Sequence, residues 1–170
     1  MNTARTANLL GAFTVAMHHR VLQRINADQH IGGEGPAAVV LIGTNPGKTV
    51  DFVARALELT HSGTVRLIDR LATEQWVERR PGGTDRRAVA LYLTKAGQQK
   101  MRVILRVRRE CLESVLGVLS AKEQKLLTTV LEGMLENMTT NEQMAESICR
   151  LCEEEACPQP NCPVTQALQG

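Results

Sequence analysis

The chain has 170 residues, 43% hydrophobic, 22% charged and only 2% aromatic, with a formal net charge of +2. That length fits one domain, or one small domain with helical extensions, and a core of Leu, Val, Ile, Ala and Met suits helices better than a β-sandwich. With no run of about eighteen apolar residues and no secretory cleavage pattern at the N-terminus, the expectation is a cytoplasmic protein with no membrane partner.

Residues 3–28 read as an amphipathic helix, with Leu9, Leu10, Phe13, Met17, Val21 and Ile25 at helical spacing. "GGEGP" at 32–36 breaks it, and the apolar run 37–43 fits a buried helix ended by "TNPG" at 44–47. A short helix follows over 48–59, around Phe52, Val53 and Leu57. A second covers 60–75, with Thr60 as its N-cap. Two short helices joined by "ELT" make a helix-turn-helix candidate. "WVERR" (76–80) and "AVALYLT" (88–94) have strand character, the latter alternating Val89, Leu91 and Leu93; between them lies the basic loop "PGGTDRR". A hairpin directly after a helix-turn-helix is a winged helix. Thr94 then caps a long helix over 95–119, and Ser120 with Glu123 forms a capping box for another over 121–138. The fold class expected is mainly α with a small β-hairpin wing (α+β).

Charge is unevenly spread along this plan. Eight glutamates against Lys122, Lys125 and Arg150 set residues 121–170 at −5, which leaves +7 on residues 1–120. A basic front points to an anionic partner, nucleic acid first, although a solvated charged surface is the simpler account of charge alone. Catalysis is not expected. His18, His19, His30 and His61 are scattered, and "GTNPGKT" (43–49) is one residue short of a phosphate-loop spacing.

Residues 65–97, "VRLIDRLATEQWVERRPGGTDRRAVALYLTKAG", resemble the MarR family of bacterial winged-helix regulators. The resemblance is carried by the R-L-x-D-R-L helix end, W-V-E-R-R, the D-x-R wing at Asp85–Arg87 and the L-T-x-x-G helix start. With the flanking helices it extends over roughly residues 5 to 140. It implies a homodimer with interlocked N- and C-terminal helices, each subunit offering one winged helix to half of a pseudo-palindromic operator in double-stranded DNA. It further implies repression of transcription, released by a small aromatic effector or by cysteine oxidation. The organisation expected is a helical dimerisation region from 1–31 and 95–147, a winged helix over 32–94 and a tail over 148–170.

A recognition helix reads bases with its N-terminal residues, here His61, Ser62, Thr64, Val65 and Arg66. On the family pattern Arg87 enters the minor groove and Asp85 holds its guanidinium in place. Arg86, Arg79 and Arg80 contact phosphate or solvent. Gly63, inside the recognition helix, costs about 1 kcal/mol of helix propensity relative to Ala.

The tail carries Cys149, Cys152, Cys157 and Cys162 in a C-x2-C-x4-C-x4-C spacing beyond the family's common core, while Cys111 lies on an apolar helical stripe and reads as core. Three readings stay open for the four thiols. One is an iron–sulfur cluster, placed ahead of zinc because Cys157 and Cys162 each precede proline. The second is a tetrahedral zinc site, although the stretch lacks the glycines of a zinc knuckle. The third is a metal-free set of redox thiols. Cys149 and Cys152 are expected at the end of the last helix, on one face. The alternative function is a metal or redox sensor acting through protein partners, its winged helix serving as an interaction module.

Overall fold

The centre of the molecule is the helix built from the most apolar stretch of the chain. In the computed structural model, which describes residues 2–27, 32–82, 89–157 and 160–169, α2 (Gly35–Thr44) is buried from Gly35 through Ile42. A helix apolar on every side has no face to give to water, and α2 is enclosed by α1 (Thr3–Ala27), α3 (Val50–Ala56), α4 (His61–Thr73) and α5 (Lys95–Leu116). Met17, Val21 and Ile25 of α1, Ile68 and Leu71 of α4, and Ile104, Val107 and Cys111 of α5 complete this core. Cys111 is therefore a packing residue, as its place on the stripe indicates.

Local chemistry starts each later helix. Thr49, Thr60 and Thr94 accept from the backbone N–H three residues on, at Phe52, Gly63 and Gly97. Ser120 opens α6 (Ala121–Met138) with a complete capping box: its hydroxyl accepts from Glu123 N, and Glu123 Oε2 accepts from Ser120 N at 2.8 Å. The hydrogen bonds from Ser120 hold the Glu123 carboxyl below the usual range. Ser120→Ala is expected to cost about 1 kcal/mol, read as a fall in the thermal midpoint. A depressed carboxylate stabilises above its unfolded pKa and ceases to as pH falls through its folded one, so the gap between variant and wild type should narrow below about pH 4.

The ends are equally local. α3 and α4 each close through a non-glycine residue at positive φ, Glu58 (55°) and Gln75 (58°), followed by a bond from Leu59 N to Ala54 O and from Trp76 N to Leu71 O. α5 stops at Leu116 rather than at 119, because Gly117 is the C-cap.

Strands β1 (Val77–Pro81) and β2 (Val89–Leu93) pair antiparallel, with Val77 opposite Leu93 and Pro81 opposite Val89. β2 is covered on its other edge as well: Gly47 N donates to Leu91 O, Leu91 N donates to Lys48 O, and Thr49 bridges Ala90. The alternation expected of β2 holds for Leu91 and Leu93. Val89 departs from it, being 43% exposed at the outer end of the ribbon, while Ala90 is buried.

Beyond α6 the chain forms two short helices, α7 (Glu142–Cys149) and α8 (Pro163–Ala167). α7 packs on α3 and α8 on α6. The last helix before the cysteines ends at Cys149, so Cys152 is not on it; the following turn, closed by Cys152 N donating to Cys149 O at 2.8 Å, brings it back beside Cys149. Among the described residues no helix is long and apolar enough to cross a membrane.

Candidate nucleic-acid interface

Helix α4 divides its residues by period. Thr64, Leu67, Ile68 and Leu71 face the core, while His61, Ser62, Arg66, Asp69 and Arg70 face out. Four of the five expected base-reading positions, His61, Ser62, Val65 and Arg66, stand at the outer N-terminal end, with Val65 half-buried. Thr64 corrects the expectation. Its side chain is fully buried and its hydroxyl donates to Thr60 O at 3.0 Å, so it anchors the first turn and has no path to a base.

The outer residues are held in place by partners that sequence spacing does not announce. His61 Nδ1 and Asp51 Oδ1 of α3 lie 2.6 Å apart, which ties the two helices of the pair and leaves the imidazole Nε2 edge facing outward. Arg66 Nε reaches back to Ser62 O at 3.3 Å, laying the guanidinium along the helix toward its N-terminus. From β1, Arg79 donates to Asp69 of α4 at 2.7 Å, and Arg80 pairs with Glu78 while lying 4.6 Å over the Tyr92 ring. Arg79 and Arg80 are thus already paired in the free protein. They brace the wing against α4 and are less available to phosphate than free arginines would be. A cleft of about 530 Å³ opens between these parts, lined by Thr49, Asp51, His61, Val65, Arg79 and Val89. Asp51 and Asp69 are the site residues the sequence reading missed. The ten-residue offsets that join them to His61 and Arg79 carry no local pattern.

Gly63 has a plain role. Its N–H donates to the capping Thr60 hydroxyl at 3.1 Å, and a Cβ there would sit 3.0 Å from that same oxygen. The wing-tip residues Asp85, Arg86 and Arg87 lie outside the described residues.

Of the four tail cysteines, Cys149 ends α7, Cys152 lies in the turn that follows, and Cys157 is exposed. Cys149 and Cys152 share a side-chain hydrogen bond, which holds Cys152 below the usual thiol range, with help from Arg108, and pushes Cys149 up. Cys162 is buried at the N-cap of α8 and lies within electrostatic reach of both Cys149 and Cys157. Among the described residues, no three Cys, His, Asp or Glu side chains form a ready-made metal shell.

A helix-turn-helix, an antiparallel wing braced to its second helix, and long helices flanking both define a winged-helix fold. The MarR family model matches residues 37–88. The transcriptional repressor MprA of Escherichia coli is 31% identical over 88 residues, 52% of this chain and 50% of MprA. The chain thus spans about half the length of the curated relatives it matches. Among solved structures, Streptococcus pneumoniae FabT in complex with DNA aligns over 79% of this chain and 94% of its own, with TM-score 0.63 and 22% identity. Wild-type MarR of Escherichia coli aligns over 74% and 96%, with TM-score 0.62 and 22% identity. At these identities the structural likeness speaks for the fold. Together with the family model over residues 37–88, it gives the chain a MarR-like winged-helix fold.

Proposed function

We propose that the protein is a homodimeric transcriptional repressor that binds a pseudo-palindromic operator in double-stranded DNA through its two winged helices. The observation that carries this is the outer N-terminal face of α4, where His61, Ser62, Val65 and Arg66 stand together beside a wing braced to the same helix. Such a face fits the major groove, with Arg66 suited to guanine O6/N7 and Ser62 to several bases. Arg86 and Arg87 supply the charge of the wing, Arg87 toward the minor groove and Arg86 toward phosphate. FabT, which shares the fold, has been solved on DNA.

Selection of bound duplexes from a random library should recover a two-fold symmetric sequence whose half-sites are centred about ten base pairs apart. Affinity for it should fall steeply with salt. Arg66→Ala and Arg87→Ala are each expected to weaken operator binding by about 1–3 kcal/mol while the dimer stays folded. Arg66→Ala should also relax base preference at one position per half-site. Binding with no symmetric preference and no salt dependence would count against the reading.

The four tail cysteines supply the sensory part, as thiolate ligands of a metal centre whose gain or loss changes DNA binding. The C-x2-C-x4-C-x4-C spacing supports this, as does the turn that brings Cys152 back beside Cys149. An iron–sulfur cluster stands ahead of zinc, on the two Cys-Pro pairs.

A further inference from the structure

The imidazole at the head of α4 has its chemistry set by a residue outside that helix. His61 is the first residue of α4, directly after the Thr60 cap, and Asp51 stands in the first turn of α3, after the Thr49 cap. These two capped turns bring Nδ1 of His61 to 2.6 Å from Oδ1 of Asp51, on the wall of the cleft that Val65 and Arg79 also line. Among the described residues Asp51 has no lysine or arginine partner, because Arg79, the cation of the same cleft, is taken by Asp69. Both side chains of the His61–Asp51 pair are 66% exposed, so the pair adds little to stability. What it does decide is which ring nitrogen holds the hydrogen.

An ionised carboxylate can only accept, so in the neutral ring Nδ1–H donates to Asp51 and Nε2 is left as a bare acceptor on the outward edge. In the major groove the donors are the exocyclic amino groups of cytosine N4 and adenine N6, while guanine N7 and O6, adenine N7 and thymine O4 all accept. Phosphate oxygens accept as well. A bare Nε2 therefore pairs with an amino group and is repelled by every other polar edge it meets there. With the hydrogen on Nε2 instead, the same ring would read the opposite set. We propose that Asp51 is a positioning residue that determines specificity through His61: by keeping the hydrogen on Nδ1 it makes His61 a reader of one exocyclic amino group in each half-site. This rests on the DNA-binding function proposed above and adds to it the chemistry of one base position. An acidic residue in the first turn of α3 also suits the helix dipole, but that role would leave the tautomer of His61 untouched.

The first test needs no DNA. Long-range proton–nitrogen correlation spectra of the full chain at about pH 8.5, with His61 assigned by its loss in His61→Ala, should show Nδ1 protonated and Nε2 bare. In Asp51→Ala the hydrogen should move mainly to Nε2. The second test uses the duplex selected by the wild-type chain and the base pair whose preference His61→Ala loses. Deleting the amino group of that pair (purine for adenine, or 2-pyrimidinone for cytosine) should weaken wild-type binding at least about tenfold more than it weakens His61→Ala. Replacing the purine of the pair by its 7-deaza analogue should weaken the two proteins equally. In Asp51→Ala the excess sensitivity to the amino group should disappear. A wild-type ring with Nε2 protonated would overturn the proposal and leave the DNA-binding reading standing. So would a selected operator at which His61→Ala alters no position, or one sensitive to the 7-deaza change instead. If no symmetric duplex is selected at all, both fall.

Discussion

Replacing Gly97 by alanine should destabilise the protein by at least about 3 kcal/mol, the top of the range for overpacking a close contact. Gly97 lies in the first turn of α5, buried, with its N–H given to the Thr94 cap. A Cβ on it would fall 2.0 Å from Trp76 O and 2.9 Å from Trp76 C, both backbone atoms that no rotamer change can move aside. The same carbonyl already accepts from Thr94 N at 3.0 Å, and Thr94 Oγ1 donates to Gln75 O at 2.5 Å. Making room would therefore pull α5 from the start of β1 and break the bonds that join them. Urea unfolding would measure the loss, with Gly133→Ala as control because a Cβ there meets nothing within 4 Å. An equal, small effect at both positions would mean that the α5–β1 approach is looser than described.

The second large effect is expected at Leu131. α6 buries no residue within one chain; Leu126, Val130, Leu131 and Met134 stand exposed on it, and Leu9, Leu10 and Phe13 do so on α1. α6, α1 and the end of α5 wall an apolar cavity of about 680 Å³. A face of that extent is what interlocked helices of two subunits would cover. In the proposed dimer, Leu131→Asp would place one carboxylate from each subunit in it, and desolvating each costs on the order of several kcal/mol. Dimerisation should weaken by at least about a thousandfold, so the variant should run as a monomer at micromolar concentration in light scattering behind gel filtration. Operator affinity should fall further than for Arg66→Ala, since each half-site would then be bound alone. A dimer of wild-type strength would show that this face is not the interface.

These two positions also show how far the sequence could be read. Thr60, Thr94 and the Ser120–Glu123 box were legible because a cap is written in three or four neighbouring residues. The helix-turn-helix and the wing followed from a change of period in the apolar pattern. The inward turn of Thr64 was within reach too, since it lies three and four positions before Leu67 and Ile68 on the buried stripe. Other features were not. The Arg79–Asp69 and His61–Asp51 pairs, the Thr49–Ala90 bridge and the approach of Gly97 to Trp76 join segments that meet only once the chain has folded back. The end of α7 at Cys149 was missed because a turn, not helical continuation, returns Cys152 to its partner.

The crowded joint at Trp76 has a consequence for what the proposed dimer can transmit. The end of α4, the start of β1 and the first turn of α5 meet at one peptide group, with Lys100 lying 4.0 Å over the indole. Hydrogen bonds and close backbone contact thus couple the three segments directly. With 22 residues α5 is about 33 Å long. A tilt of about 5° around its far end carries the near end about 3 Å, close to the 3.4 Å rise between neighbouring bases along a strand. In the proposed dimer on its operator, a small rearrangement at the subunit contact would thus arrive at the groove as a shift of about one step of sequence, enough to take a matched half-site out of register.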